Sequence, residues 1–446
     1  RMFGRGMINA IKSLLPAMPI WLERWAICVN MNSKWWRWVS LALFLCLTFV
    51  VTSCDNAAKT EEKGIEQGLS HQQEENLNDT SHSALPVFDA TPGDADWDEK
   101  AEAYLQKLTL EEKAAQLFCV TPEGLTHFSG TVVQAGETTQ KAFNRLPVGG
   151  ILYHRENLKN PKQTQEMLQK MQSISKARIG LSLFLCVDEE GGSVSRVFSQ
   201  PAFSDTPIPP MREIGFTKDP TQAEKIGTQI GGKLHTLGFN VDFAPVADVL
   251  SNPDNALLKS RSFGADVSLV TKMCAAFCQG LEKSDVLPAY KHFPGHGSTS
   301  EDSHSNRTVS HRTPEELRQT DLVPFQDAIA KNCPFIMVGH VSYPQAFGEQ
   351  PASLNKKVMM DLARNEMHFQ GILITDAINM GAITENYDPE EAVISALQAG
   401  ADMILMPDDL DKAVKAVVQA VNHKQISESR LDTSLRRILR VKTQRL

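Results

Sequence analysis

The chain has 446 residues, 42% hydrophobic and 22% charged, enough to bury a core in one large domain or two small ones. A net charge of -8 without a basic stripe excludes a protein built to neutralise nucleic-acid phosphates; it leaves a sugar polymer or a membrane open as partners. Among the eight cysteines, Cys119 and Cys186 sit inside apolar runs as small hydrophobes, and Cys274 and Cys278 lack the further ligands a metal site needs, so no disulfide framework is expected.

With Met31 as the start, residues 1–30 are an upstream extension without a folded role. Lys34 and Arg37 precede an apolar run, 39–51, that ends in Val51-Thr52-Ser53-Cys54. A basic region, an apolar region and small residues before a cleavage point make a secretory signal over 31–54. The run is shorter than the roughly 20 residues of a membrane span, which weighs against an uncleaved helix. A cysteine at that point resembles the lipobox of bacterial lipoproteins. The resemblance implies a lipid on Cys54 and a protein anchored to the bacterial cell envelope. Residues 55–96 are polar and acidic, too poor in apolar groups to offset the entropy of ordering, and read as a flexible linker.

Residues 97–446 alternate between two patterns. Residues 101–109 are helical in pattern, and Glu111-Glu112-Lys113 extend a charged face. Short apolar runs then recur at 116–120, 149–153, 181–187, 239–244, 286–290, 335–338, 371–375 and 402–406. They are continuous rather than alternating, as in strands of a parallel sheet covered on both faces. Helix-length segments follow at 161–176, 220–237, 269–283, 314–331, 355–368, 389–399, 410–422 and 427–443, several opened by proline or stopped by glycine. About eight such units closing on themselves make a TIM (β/α)8 barrel, an α/β fold of this size, with an open doubly wound sheet as the alternative. The segment 121–146 is too long for a tight loop; an inserted turn or strand pair and a helix over 139–146 are expected there. No second core is expected after the barrel.

Barrel chemistry sits at the C-terminal strand ends. Those ends carry Asp188-Glu189-Glu190-Gly191-Gly192 with Arg196 beyond, Asp242 with Pro245 and Asp248, Lys291-His292, His340, and Asp376, whereas the strand starts are mostly apolar or glycine. Each has a plain structural explanation beside the functional one. Asp242 fits a satisfied buried carboxylate, Arg196 a local pair with Glu189, Arg261 a loop anchor, and His340 a hydrogen-bonded core histidine. Asp376 follows Ile372-Leu373-Ile374-Thr375 without a basic neighbour in sequence, so packing explains it least.

Lys291-His292-Phe293-Pro294-Gly295-His296-Gly297 and Asp302-Ser303-His304 resemble glycoside hydrolase family 3, most closely its bacterial beta-N-acetylglucosaminidases. Supporting motifs, in the family's order, are Asp188-Glu189-Glu190-Gly191-Gly192-Ser193-Val194-Ser195-Arg196, Phe243-Ala244-Pro245-Val246-Ala247-Asp248, Arg261-Ser262-Phe263-Gly264 and Thr375-Asp376-Ala377. The resemblance implies a single TIM-barrel catalytic domain without the family's C-terminal second domain; no metal or other cofactor is expected, and the chain is expected to be a monomer. It implies a beta-N-acetylglucosaminide oligosaccharide or muropeptide as substrate. It makes Asp376 the nucleophile and His304 the general acid/base, with Asp302 its partner. Asp188, Arg196, Arg261, Lys291 and His292 match sugar-binding positions. Two features depart from the family: Glu189 stands where glutamine is more common, and the familiar members of this branch are cytoplasmic.

The chemistry suits these groups. An ionised Asp376 can attack an anomeric carbon, and a histidine with an ordinary pKa of about 6.5 can hold and release a proton near neutrality. Asp302, two residues before His304, can fix its tautomer. Glycines 295 and 297 let the loop bend, so His304 is expected to approach Asp376 when substrate binds. A metal site at His292, His296, Asp302 and His304 lacks standard zinc spacing, and Lys291 would oppose a cation. Substrate-assisted catalysis by Asp188 and Glu189, a beta-glucosidase, a phosphorylase on the same fold and a non-catalytic sugar-binding lipoprotein complete the alternatives.

Overall fold

The computed structural model describes residues 99–204, 206–299 and 308–446. The signal segment, Cys54, the linker, and the pair Asp302 and His304 lie outside the described residues.

Eight parallel strands form one sheet in the order β10, β1, β2, β3, β4, β5, β6, β9. They are β1 Phe118–Val120, β2 Gly150–Leu152, β3 Phe184–Val187, β4 Val241–Asp242, β5 Leu287–Phe293, β6 Phe335–Val338, β9 Ile372–Thr375 and β10 Ile404–Leu405, with β7 Ser342–Tyr343 and β8 Gly348–Pro351 in a separate hairpin. The sheet edges meet where Ile374 bridges Met403 and the Thr375 N–H donates to the Met403 carbonyl at 3.0 Å. The sheet therefore closes into the expected barrel. All residues of β1, β3, β5, β6 and β9 are buried. A filled interior covers one face and helices the other, and each fully buried large apolar side chain contributes about 1.5–3 kcal/mol.

Local signals set the helices. Asp219 accepts from the Thr221 N–H, Pro220 occupies the first turn, and Gly238 at φ 102° ends the helix Pro220–Leu237. Its neighbour, Val267–Glu282, lies against it through Gly227 and Gly280. A Cβ at Gly227 would stand 2.1 Å from the Phe277 carbonyl oxygen, so the two backbones pack in direct contact.

Several boundaries differ from the sequence pattern. The strand expected at 286–290 runs on to Phe293, so Lys291 and His292 are strand residues rather than loop residues. Gln116 ends the helix Leu110–Gln116 and is not in a strand. The expected helix 101–109 spans Glu99–Leu105, with Thr109 capping the next helix. Between β1 and β2 stand the short helix Pro122–Thr126 and the helix Glu137–Arg145, with no strand pair. The single helix expected at 314–331 breaks into Pro314–Gln319 and Val323–Ala330. The segment at 355–368 forms a wider π-helix, Lys357–Glu366, for which nothing in the sequence provides a signal.

The N-terminal end of the barrel is not uniformly apolar. Asp402, just before β10, is fully buried and pairs with Arg364 and, at 3.1 Å, with Arg437. Ser434 Oγ donates to it at 2.6 Å and the Leu373 N–H at 2.9 Å. This cluster ties the last helix, Glu428–Arg445, to the barrel floor, far from the end where barrel chemistry sits. Cys119, Cys186, Cys274, Cys278 and Cys333 are buried free thiols.

Candidate active site

The C-terminal strand ends surround a cavity of about 570 Å³, in the range of small-molecule sites. Asp188, Arg196, Arg261, Lys291, His292 and Asp376 all line it. Four strands, β3, β4, β5 and β9, thus bring expected site residues up to 188 positions apart in the chain to one place. Asp302 and His304 lie outside the described residues.

Lys291 is the centre of the polar wall. Its Nζ stands 2.8 Å from Asp188 Oδ1 and 2.7 Å from Glu190 Oε1. Burial disfavours the ammonium, but Asp188 and Glu190 outweigh it and hold the Lys291 pKa above the usual lysine value. Glu190 also takes a two-pronged pair from Arg261, with Nε at 2.7 Å and Nη2 at 2.8 Å. Burial would raise the Glu190 pKa; Arg261 and Lys291 together hold it far below the carboxylate range. Two carboxylates and two cations therefore neutralise one another behind the cavity surface. The Arg196 guanidinium enters the same cavity, and its buried Nε has no hydrogen-bond partner among the described residues.

Asp376 begins the turn after β9. Its N–H donates to the Val338 carbonyl at 2.8 Å, which joins it to β6, and its Oδ1 accepts from the Ala377 N–H at 2.8 Å. Burial favours the protonated acid, but His292 and His340 outweigh it and hold the pKa below the ordinary aspartate value. Asp376 is an ionised carboxylate at neutral pH. His292 is aimed by Asp248: Nδ1 lies 2.7 Å from Asp248 Oδ2, and the His292 N–H points at both carboxylate oxygens at 3.2 Å. The Lys291–His292 peptide is cis.

The other candidates fall on the structural side. Glu189 turns away from the cavity, is fully buried, and accepts from Ser195 Oγ and from the N–H groups of Arg196 at 2.8 Å and Val197 at 2.7 Å. It organises the Gly191–Arg196 turn through backbone bonds rather than through a surface pair with the Arg196 guanidinium. Asp188 and Glu189 thus do not form an acidic pair facing one ligand. Asp242 accepts from the Glu189 N–H at 2.9 Å, and burial raises its pKa well above the ordinary value. His340 is held between Ser353 Oγ at 2.7 Å and the Ala377 carbonyl at 2.9 Å, a core histidine that also bears on Asp376. His296 packs inside, its Nδ1 2.9 Å from Thr299 Oγ1, and burial pushes its pKa down to about 4. It braces the loop.

Glu190 and Asp248 were present in the sequence motifs without a role. Their partners are Arg261, 71 residues away, and His292, 44 residues away, which no local pattern connects. His154, Ser193, Asn379 and Met380 also line the cavity. His154 lies two residues past the end of β2, where the rule that strand ends carry chemistry applies to it as well.

A closed parallel barrel with an ionised carboxylate and a neutralised acid–base network at its C-terminal mouth is the architecture of a small-molecule active site. Residues 109–441 match the glycosyl hydrolase family 3 N-terminal domain, and the chain belongs to this family. It is 33% identical over 325 residues to beta-hexosaminidase A of Pseudoalteromonas piscicida, covering 67% of this chain and 54% of that protein. A beta-hexosaminidase of Mycobacterium tuberculosis is 37% identical over 271 residues, 59% of this chain and 68% of that one. A family 3 beta-N-acetylglucosaminidase structure from Paenibacillus superposes with a TM-score of 0.71 at 33% identity, covering 76% of this chain and 63% of its own. The chain thus spans about half the length of the Pseudoalteromonas relative.

Proposed function

We propose that the protein is a retaining exo-glycosidase that removes terminal beta-linked N-acetylglucosamine from saccharides of cell-wall or chitin type. The observation that carries this is Asp376: an ionised carboxylate in a cavity it shares with the Lys291 network and with His292. Asp376 attacks the anomeric carbon and forms a glycosyl ester as the bond to the leaving oxygen breaks. His304, paired with Asp302, gives that oxygen its proton and then takes one from the water that cleaves the ester. Asp188, Arg196, Arg261, Lys291 and His292 bind the sugar hydroxyls. The beta-hexosaminidase names of the relatives support the acetamido sugar. We further propose that lipid on Cys54 anchors a monomeric enzyme to the cell envelope.

The test is a chromogenic beta-N-acetylglucosaminide assay with the glucoside as comparison. Asp376→Asn is expected to lower kcat about a thousandfold or more, equivalent to ~4 kcal/mol of barrier. A fluorinated sugar should leave its label on Asp376. Activity that survives the substitution, or a label elsewhere, removes Asp376 from the role.

A further inference from the structure

The break in the helix expected at 314–331 has a purpose that the sequence does not reveal. At Thr320 the backbone leaves helical geometry, with φ −128° and ψ −77°, and Asp321 turns into the protein, where it is fully buried. A carboxyl group does not enter a packed interior without a role to hold it there. Asp321 does not cap the helix that follows: Leu322 occupies the cap position and no side chain caps it. Nor does Asp321 line the cavity.

Asp321 is packed against the segment that leaves β5. A Cβ at Gly295 would stand 2.5 Å from Asp321 Cβ and 3.0 Å from Oδ1, so the Gly295 backbone rests on the carboxyl group. Gly295 has φ 129°, a conformation open to glycine and strained for other residues. Tyr343 holds Gly295 in a second way, its buried hydroxyl donating to the Gly295 carbonyl at 2.5 Å. Asp321 also reaches the returning chain. Arg312 Nε lies 3.5 Å from Oδ2, which accepts from Thr320 Oγ1 at 2.5 Å. Ser298 and Ser310 join the outgoing and returning chains again, with their hydroxyls 2.8 Å apart.

From Gly295 the path to the cavity is short. The Gly295 N–H donates to the His292 carbonyl at 2.8 Å, and the His296 N–H donates to Asp248 Oδ1 at 2.6 Å. Asp248 in turn aims the His292 ring at 2.7 Å. Any displacement of Gly295 is therefore passed to His292 and Asp248 through direct hydrogen bonds.

We propose that Asp321 is a positioning residue for the active site: seated behind Gly295 and against Arg312, it sets the place of the Gly295–His296 turn and thereby the orientation of His292. The groups that face it are Arg312, with Glu316 beyond at 3.6 Å, Asp248 across the turn, and the Tyr343 hydroxyl. Burial raises its pKa to about 6, against the bond from Thr320 and the charge of Arg312. Its Oδ1 has no hydrogen-bond partner among the described residues. What the proposal requires is the volume that the carboxyl group places behind Gly295, which an amide of the same shape also supplies.

The inference rests on the glycosidase reading, and the experiment separates the two. The full chain is compared as wild type, Asp321→Asn and Asp321→Ala on a chromogenic N-acetylglucosaminide across pH. Asp321→Asn keeps the shape and should retain kcat within about threefold at each pH. Asp321→Ala should lower kcat about tenfold or more at a temperature where both variants are folded by circular dichroism. Equal kcat in Asp321→Ala and wild type overturns the inference, as does an equal loss in both variants. If the wild type itself is inactive, the glycosidase reading fails. The imidazole NMR signals of His292 then provide the readout: they should move in Asp321→Ala and not in Asp321→Asn, and unmoved signals in both overturn the positioning role.

Discussion

Lys291→Met is the most informative single perturbation of this site. Methionine keeps the unbranched apolar stem of the side chain and removes the ammonium that joins Asp188 to Glu190. Both ammonium contacts are shorter than 3 Å, and the lysine side chain is 3% exposed, so water cannot replace it. Removing one partner of a buried pair typically costs about 3–5 kcal/mol, because the other charge stays buried without compensation. Here Glu190 keeps the two-pronged bond from Arg261, and Asp188 is 17% exposed and retains some hydration. The expected cost is thus the lower end, about 3 kcal/mol. At roughly 2.1 cal/mol/K of unfolding entropy per residue, a domain of about 350 residues loses close to ~4 °C of Tm. The pH dependence should shift as well. The folded-state pKa of Glu190 is depressed, so its stabilisation is complete above the unfolded value of about 4.5 and is lost as pH falls through the lower folded value. Without Lys291 the folded value rises and that contribution shrinks. Calorimetry between pH 2 and 8 measures both effects. A Tm within ~1 °C of wild type at every pH would refute the buried-network argument, since a charge worth that little cannot be compensating two carboxylates.

Other substitutions separate the two ends of the barrel. Asp248→Asn should leave the fold intact and lower kcat by about a hundredfold, because the amide can present a donor where His292 Nδ1 needs an acceptor; unchanged kcat on the N-acetylglucosaminide would remove Asp248 from the site. Asp402→Asn should do the reverse: it unsettles Arg364 and Arg437 for about 3–5 kcal/mol of stability, measured by denaturant titration, with kcat per folded molecule unchanged. Cys54→Ser should move the protein from the membrane fraction to the soluble fraction on cell fractionation, and a protein that stays with membranes contradicts lipid attachment at that residue.

The barrel was legible because its strands are buried on both sides. A strand with two covered faces must be apolar at every position, and the runs at 335–338 and 371–375 state this in their composition. Asp188, Lys291, His292 and Asp376 were legible because polar groups at the ends of such runs break the pattern. Less was visible where a residue's partner is distant in the chain. Glu189 and Glu190 are adjacent and chemically identical, yet one faces backbone N–H groups and the other faces Arg261 and Lys291. The turn after β3 decides which is which, and both alternate patterning and local pairing are silent about it.

Lys291 shows the same division in one residue. Its identity at a strand end marks it as a candidate site residue in the sequence alone. That it is a strand residue, that it holds two carboxylates, and that its charge is cancelled before any ligand arrives depend on β3, β4 and β5 closing around one axis. Apolar periodicity, caps and turn residues are local, so the alternation of elements and the end of the barrel where polar groups collect can be read from the residues in order. Pairing of charges, the break at Thr320 and the burial of Asp321 arise from contacts between segments tens of residues apart, which form only once the barrel has closed.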